Sequence, residues 1–146
     1  MWERTAYVAE LGLSFDEEAM AGIAAAERFF ERMGFGPAGA MFVGTAADDA
    51  GVPSYGTLWF FSDAHICTAT DFRTPADATY SIRVRGPIAA CTMTLEACDV
   101  DDPDPSARMR VEFMTETNLA SGMRAHGRNC RQLLDVVQRY LVPPVR

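Results

Sequence analysis

One stretch constrains this chain more than any other: Tyr55 to Thr70, YGTLWFFSDAHICTAT. Two runs rich in aromatic and β-branched residues flank Ser62-Asp63-Ala64, which is the composition of a tight β-hairpin. More strands are expected around it. Ala40–Ala46 is apolar and short. Tyr80, Ile82 and Val84 alternate with Ser81, Arg83 and Arg85, so one face is apolar and the other polar. Gly86-Pro87 breaks that run, and Cys91, Met93 and Leu95 continue an inward face. Met109, Val111 and Phe113 alternate with Arg108, Arg110 and Glu112. Six strands are expected in all, between residues 40 and 116.

A helix is expected on each side of the strands. Ser14 and Glu17 have capping-box spacing, and Asp16, Glu17 and Glu18 suit the positive end of a helix dipole. The first helix therefore spans 14–34, stopped by Gly34 and Gly36-Pro37. Leu119, Met123, His126, Cys130, Leu133, Val137 and Tyr140 step by four and three residues. The amphipathic spacing predicts a C-terminal helix over 118–141 with Asn118 as its N-cap. The fold class is thus α+β: a small bent antiparallel sheet or partial β-barrel, closed by the C-terminal helix, with the N-terminal helix packed outside. At 146 residues and with no linker, residues 1–146 are expected to form one domain.

The net charge of −7 disfavours nucleic acid, whose binding rests on phosphate neutralisation. All 13 basic residues are arginine. The start MWERTAYVAELG lacks the features of a secretory signal, and no apolar run suffices to span a bilayer. The expectation is a cytoplasmic protein whose Cys67, Cys91, Cys98 and Cys130 stay reduced.

Arg83 with Arg85, and Arg108 with Arg110, each share a strand face. If those strands lie close, four guanidiniums would form a ligand site for phosphate or carboxylate; otherwise they are a solvated outer face. Arg124, Arg128 and Arg131 have helical spacing and would make a partner-binding basic stripe, or simply meet water. His65 with Cys67, and His126 with Cys130, offer a donor set suited to tetrahedral zinc. The spacing matches no recognised motif, and Cys130 and His126 fit a buried face, so no metal is expected. The same burial argues against a Cys130–His126 nucleophilic pair. Asp48-Asp49 and Asp101-Asp102-Asp104 lie in loops and read as solvated. No catalytic residue set assembles, so whether the protein is an enzyme is left open, with a non-enzymatic role expected.

YGTLWFFSDAHIC resembles a hairpin of bacterial pleckstrin-homology-like and GRAM-like domains, in which a G-T-L-hydrophobic-T-D-x-R-L run is common. Ser62 takes the threonine place and His65 the arginine place. YSIRVRGPIAAC resembles that family's next strand, and a capping C-terminal helix fits it. The family has seven strands and lacks the N-terminal helix, and its basic phosphoinositide loop has no counterpart here. A second stretch, AMFVGTAADDAGVPSYGTLWFF, is similar to the flavin-binding split barrel of the pyridoxamine-phosphate-oxidase-like group. That resemblance implies FMN, with Thr68, Thr70, Arg73 and Arg83 holding its phosphate. The expected function is a binding or adaptor module acting through protein contacts, with a protein partner or itself as a homodimer, without nucleic acid, membrane insertion or cofactor. The alternative is a flavin-dependent oxidoreductase or flavin-binding split-barrel protein.

Overall fold

A computed structural model describes residues 17–35, 39–47, 53–96 and 106–145. The fold is α+β. Helix α1 spans Glu17–Arg32. It is followed by β1 (Ala40–Ala47), β2 (Pro53–Phe61), β3 (His65–Thr70), β4 (Thr79–Val84), β5 (Ile88–Glu96), β6 (Arg108–Thr115) and β7 (Ala120–His126). Helix α2 (Asn129–Val136) runs on into a π-helical turn, Val137–Leu141. The Ser14 cap, the Gly36-Pro37 stop, Cys98 and the acidic loops around Asp48 and Asp101 lie outside the described residues.

The strands form two antiparallel meanders, ordered β1-β2-β3-β4 and β5-β6-β7. They do not close into a barrel, so the partial-barrel form of the expectation gives way to two sheets. The division falls at Arg85-Gly86-Pro87, where Gly86 has φ +63°, a conformation side chains resist.

At β1, β2 and β3 the first sheet is buried on both faces, which explains the unbroken apolar run Leu58-Trp59-Phe60-Phe61. Leu58 and Phe60 join Met41, Val43, Cys67 and Ala69 under α1, whose Ala19, Ile23, Ala26 and Phe30 cover them. Trp59 and Phe61 turn the other way with Phe42 and Ile66. They meet Met109, Val111, Phe113 and Met123 of the second sheet, together with Leu133, Val137 and Tyr140 from the C-terminal segment. The N-terminal helix therefore packs outside, and the C-terminal helix completes the inner core.

Two expectations need correction. The described residues hold seven strands and not six, and residues 120–126 form a strand where the sequence predicts helix. Asn118 is no N-cap: its φ of +64° places it in a turn, a backbone state asparagine tolerates. The Leu119 amide donates to Thr115 Oγ1 at 3.1 Å and closes the hairpin. Met123 and Ala125 face inward and Arg124 outward, the two-residue period of a strand.

No helix among the described residues is long and apolar enough to cross a membrane.

Candidate functional site

Strand β6 alternates between exposed and buried residues along its whole length. Arg108, Arg110 and Glu112 consequently point away from the core. Across the ladder, Arg108 is paired with Glu96 of β5 and His126 of β7, and Arg110 with Thr94 and Arg124. Directly opposed residues share a face of the sheet. The outer face thus carries Arg108, Arg110, Arg124 and His126 as one group, bordered by Glu96 and Glu112.

The Arg110–Arg124 pair is the unusual feature. Like charges directly opposite on a sheet repel. Both side chains are exposed. Among the described residues neither guanidinium has a hydrogen bond or an ion pair, and the residue across from Arg110 on its other side is a threonine.

This face meets the end of β1 at a seam. The His126 amide donates to Thr45 Oγ1 at 3.3 Å, and Asn129 Nδ2 donates to both Thr45 Oγ1 and the Val43 carbonyl at 2.8 Å. Two adjoining cavities lie along it, of about 330 and 310 Å³, and both are lined by Thr45, Ala46, Arg110 and Arg124. The first reaches Tyr55 and Glu112; the second reaches Arg108 and His126.

His126 is only 8% exposed, and burial, with Arg108 nearby, pushes its pKa below the usual 6.5, against an opposing hydrogen bond to the Thr45 backbone. The unfolded chain then binds more protons than the folded one below pH 6.5. The stabilising contribution of neutral His126 is present above that pH and is lost as pH falls through the depressed folded-state value. Replacing it by glutamine should flatten the stability–pH curve in that window, which urea unfolding at a series of pH values would register.

The other sequence candidates are scattered. Arg85 lies beyond β4 and is tied down: Nη1 donates to the Tyr140 carbonyl at 2.8 Å and Nη2 to the Asp63 carbonyl at 2.7 Å. It clamps the C-terminal segment to the β2–β3 turn. Arg83 lines a 200 Å³ cavity between the sheets with Thr68 and Thr70. Arg73 stands on the α1 side, 3.6 Å from Glu18 and over the Tyr55 ring. Three of the four flavin-phosphate candidates are therefore brought together and the fourth is not. Nor do the four strand arginines converge: Arg83 and Arg85 belong to the first sheet's surroundings, Arg108 and Arg110 to the outer face of the second.

Arg124 sits on a strand, whereas Arg128 and Arg131 stand at the start of α2, so the three do not make one helical stripe. Two cations at a helix N-terminus also face the unfavourable end of its dipole. For the zinc set, His65 packs its ring on Phe35 and Cys67 lies under α1, while Cys130 belongs to the inner core. No group of three His, Cys, Asp or Glu side chains suited to a metal ion occurs among the described residues.

Cys67, Cys91 and Cys130 are free thiols. Burial pushes Cys67 up to about 11 and raises Cys91, which lowers the thiolate fraction that reacts. Alkylation of the denatured protein, read by mass spectrometry, should label all four cysteines. A mass deficit of two protons would reveal a disulfide.

The Arg110–Arg124 pairing is hidden in the sequence because helical spacing also fits Arg124. The signal was there in the alternation of Ser121, Met123 and Ala125 with Gly122 and Arg124. Comparison with protein-family models, with curated proteins and with solved structures finds no match.

Proposed function

We propose that this protein is a non-enzymatic binding module that recognises an acidic segment of a partner protein through the outer face of its second sheet. The carrying observation is the exposed Arg110–Arg124 pair. A chain of net charge −7 sets two facing guanidiniums, without a partner among the described residues, beside a third, and an acidic ligand would turn that repulsion into attraction. Arginine suits the task, since its planar fork engages carboxylates two bonds at a time. The seven strands and the helix that closes the inner core support the pleckstrin-homology-like resemblance, a scaffold that serves binding. The edge strand β5 is uncharged from Ile88 to Leu95 and leaves Met93 45% exposed; unprotected edges of this kind pair with other chains, which supports self-association as a homodimer.

The test uses a glutamate-rich peptide and a lysine-rich control, titrated by calorimetry at two salt concentrations. The acidic peptide should bind, more weakly at high salt. Arg110→Glu should weaken it about tenfold or more while leaving the melting temperature unchanged or slightly raised. Equal affinity of the variant, or binding of the basic peptide alone, removes the reading.

The flavin alternative draws on Thr68, Thr70 and Arg83 lining one cavity. At 200 Å³, that cavity is smaller than the roughly 300 Å³ at which small-molecule sites begin. Flavin absorbance in the purified protein would favour it at once.

A further inference from the structure

The cavity of about 310 Å³ on the seam between β1 and β7 carries an inference of its own. Arg108, Arg110 and Arg124 line it together with His126 and Thr45. His126 is more than nine-tenths buried, and its Nδ1 has no hydrogen-bond partner among the described residues. A buried nitrogen left unpaired is a cost that native structures rarely carry without a reason. Beside it stand two guanidiniums that repel each other.

Both anomalies have one remedy. A group with negative charge and several acceptor oxygens would bridge Arg110 and Arg124, and a protonated His126 would add a cation, with Nδ1 as donor. Among the described residues the carboxylates lining the two cavities are peripheral: Glu96 faces Arg108 across the ladder, and Glu112 follows Arg110 on the side of the neighbouring cavity. Neither stands across from Arg110 or Arg124.

We propose that this cavity is an oxyanion site, in which a single carboxylate or phosphate group is clamped between Arg110 and Arg124, with Arg108 beside it and His126 in the wall. The proposal rests on reading the outer face as the recognition surface and assigns the chemistry of the group that enters it. A bound anion raises the proton affinity of His126, so binding takes up protons in the pH window between the free-state and bound-state values. Among the described residues, the groups around His126 are Arg108 on β6, Glu96 beyond it on β5 and Arg124 on its own strand; β1 contributes Thr45 and α2 contributes Asn129, neither of which titrates. An anion in the cavity offsets the repulsion from the two arginines, so affinity should rise as pH falls toward the range where His126 is protonated.

The experiment titrates the full chain with inorganic phosphate and, separately, with glutarate at constant ionic strength. It follows the Arg Nε–H and His ring signals by NMR. Saturable shifts at Arg110, Arg124 and His126 are expected. Arg110→Gln and Arg124→Gln should each weaken binding about tenfold or more, Arg128→Gln should leave it unchanged, and His126→Gln should remove the pH dependence of glutarate binding near neutral pH. Tighter phosphate binding would identify a phosphate group as the natural source, and tighter glutarate a carboxylate. No saturable response to either ion, or equal responses in Arg124→Gln, would overturn the site. If the glutamate-rich peptide still binds through Arg110 in that case, the pocket falls and the surface reading stands. If the small ions bind and the peptide does not, the oxyanion site stands and the protein-recognition reading falls.

Discussion

Leu133→Ala is expected to cost about 2–5 kcal/mol of folding stability. Leu133 is 0% exposed on α2 and belongs to the inner core with Phe42, Phe61, Val111 and Tyr140. Removing its isobutyl group opens a cavity at a place fixed on three sides by two sheets and the helix itself, where collapse is difficult. Leu134, one position on, is half-buried and packs only against the edge of that cluster, so Leu134→Ala should cost distinctly less. Urea unfolding of the two variants decides the matter. Equal midpoints for both would mean that α2 is an appendage and not part of the core. Ending the chain at Gly127 is the stronger form of the test, since it deletes α2 while keeping β7. It should abolish cooperative unfolding, because Asn129 leaves with the helix and takes with it the hydrogen bonds to the Val43 carbonyl and Thr45 hydroxyl at the seam.

Much of the fold was legible in the sequence because local signals and tertiary demands agreed. The acidic first turn and apolar spacing of α1 match its buried face. The hairpin of β2 and β3 turns where Ser62, Asp63 and Ala64 predict, and the His65 amide donates to Ser62 Oγ at 3.0 Å to close it. Strand β6 shows its alternation openly. Strand β7 failed for a specific reason: Leu119, Met123 and His126 fit a helical spacing, while Ser121, Met123 and Ala125 fit a strand, and Met123 satisfies both. Asn118 is equally at home as an N-cap and in a left-handed turn. Gly127, at φ +58°, marks where strand gives way to helix, a signal visible in the sequence only once the strand is recognised.

The candidate site was half legible for the same reason. Arg108 and Arg110 showed as one strand face. Their encounter with Arg124 and His126 depends on a pairing register that no local pattern reveals. Arg85 illustrates the opposite limit. Its guanidinium donates to two carbonyls from segments 22 and 55 residues away in sequence, so a residue that reads as a solvated cation is a structural clamp.

Gly22→Ala should destabilise the protein by about 1–3 kcal/mol or more, which reverses the usual sign. In an ordinary helix interior, alanine is favoured over glycine by roughly 0.5–1 kcal/mol. Here a Cβ at position 22 would overlap the backbone carbonyl of Phe72, the residue two beyond β3. Backbone cannot step aside as a flexible side chain can, so α1 must lift from the sheet. The face it covers includes Met41, Leu58, Phe60 and Cys67, and the last of these supplies a local probe. Cys67 is 1% exposed, and burial holds its thiol near 11, so it should resist alkylation in the native protein. In Gly22→Ala it should react faster, with the labelled site located by peptide mapping, while Cys130 in the inner core stays protected. A stability gain, or unchanged Cys67 protection alongside a lower melting temperature, would show that α1 does not press against the chain after β3 in the way its glycine implies.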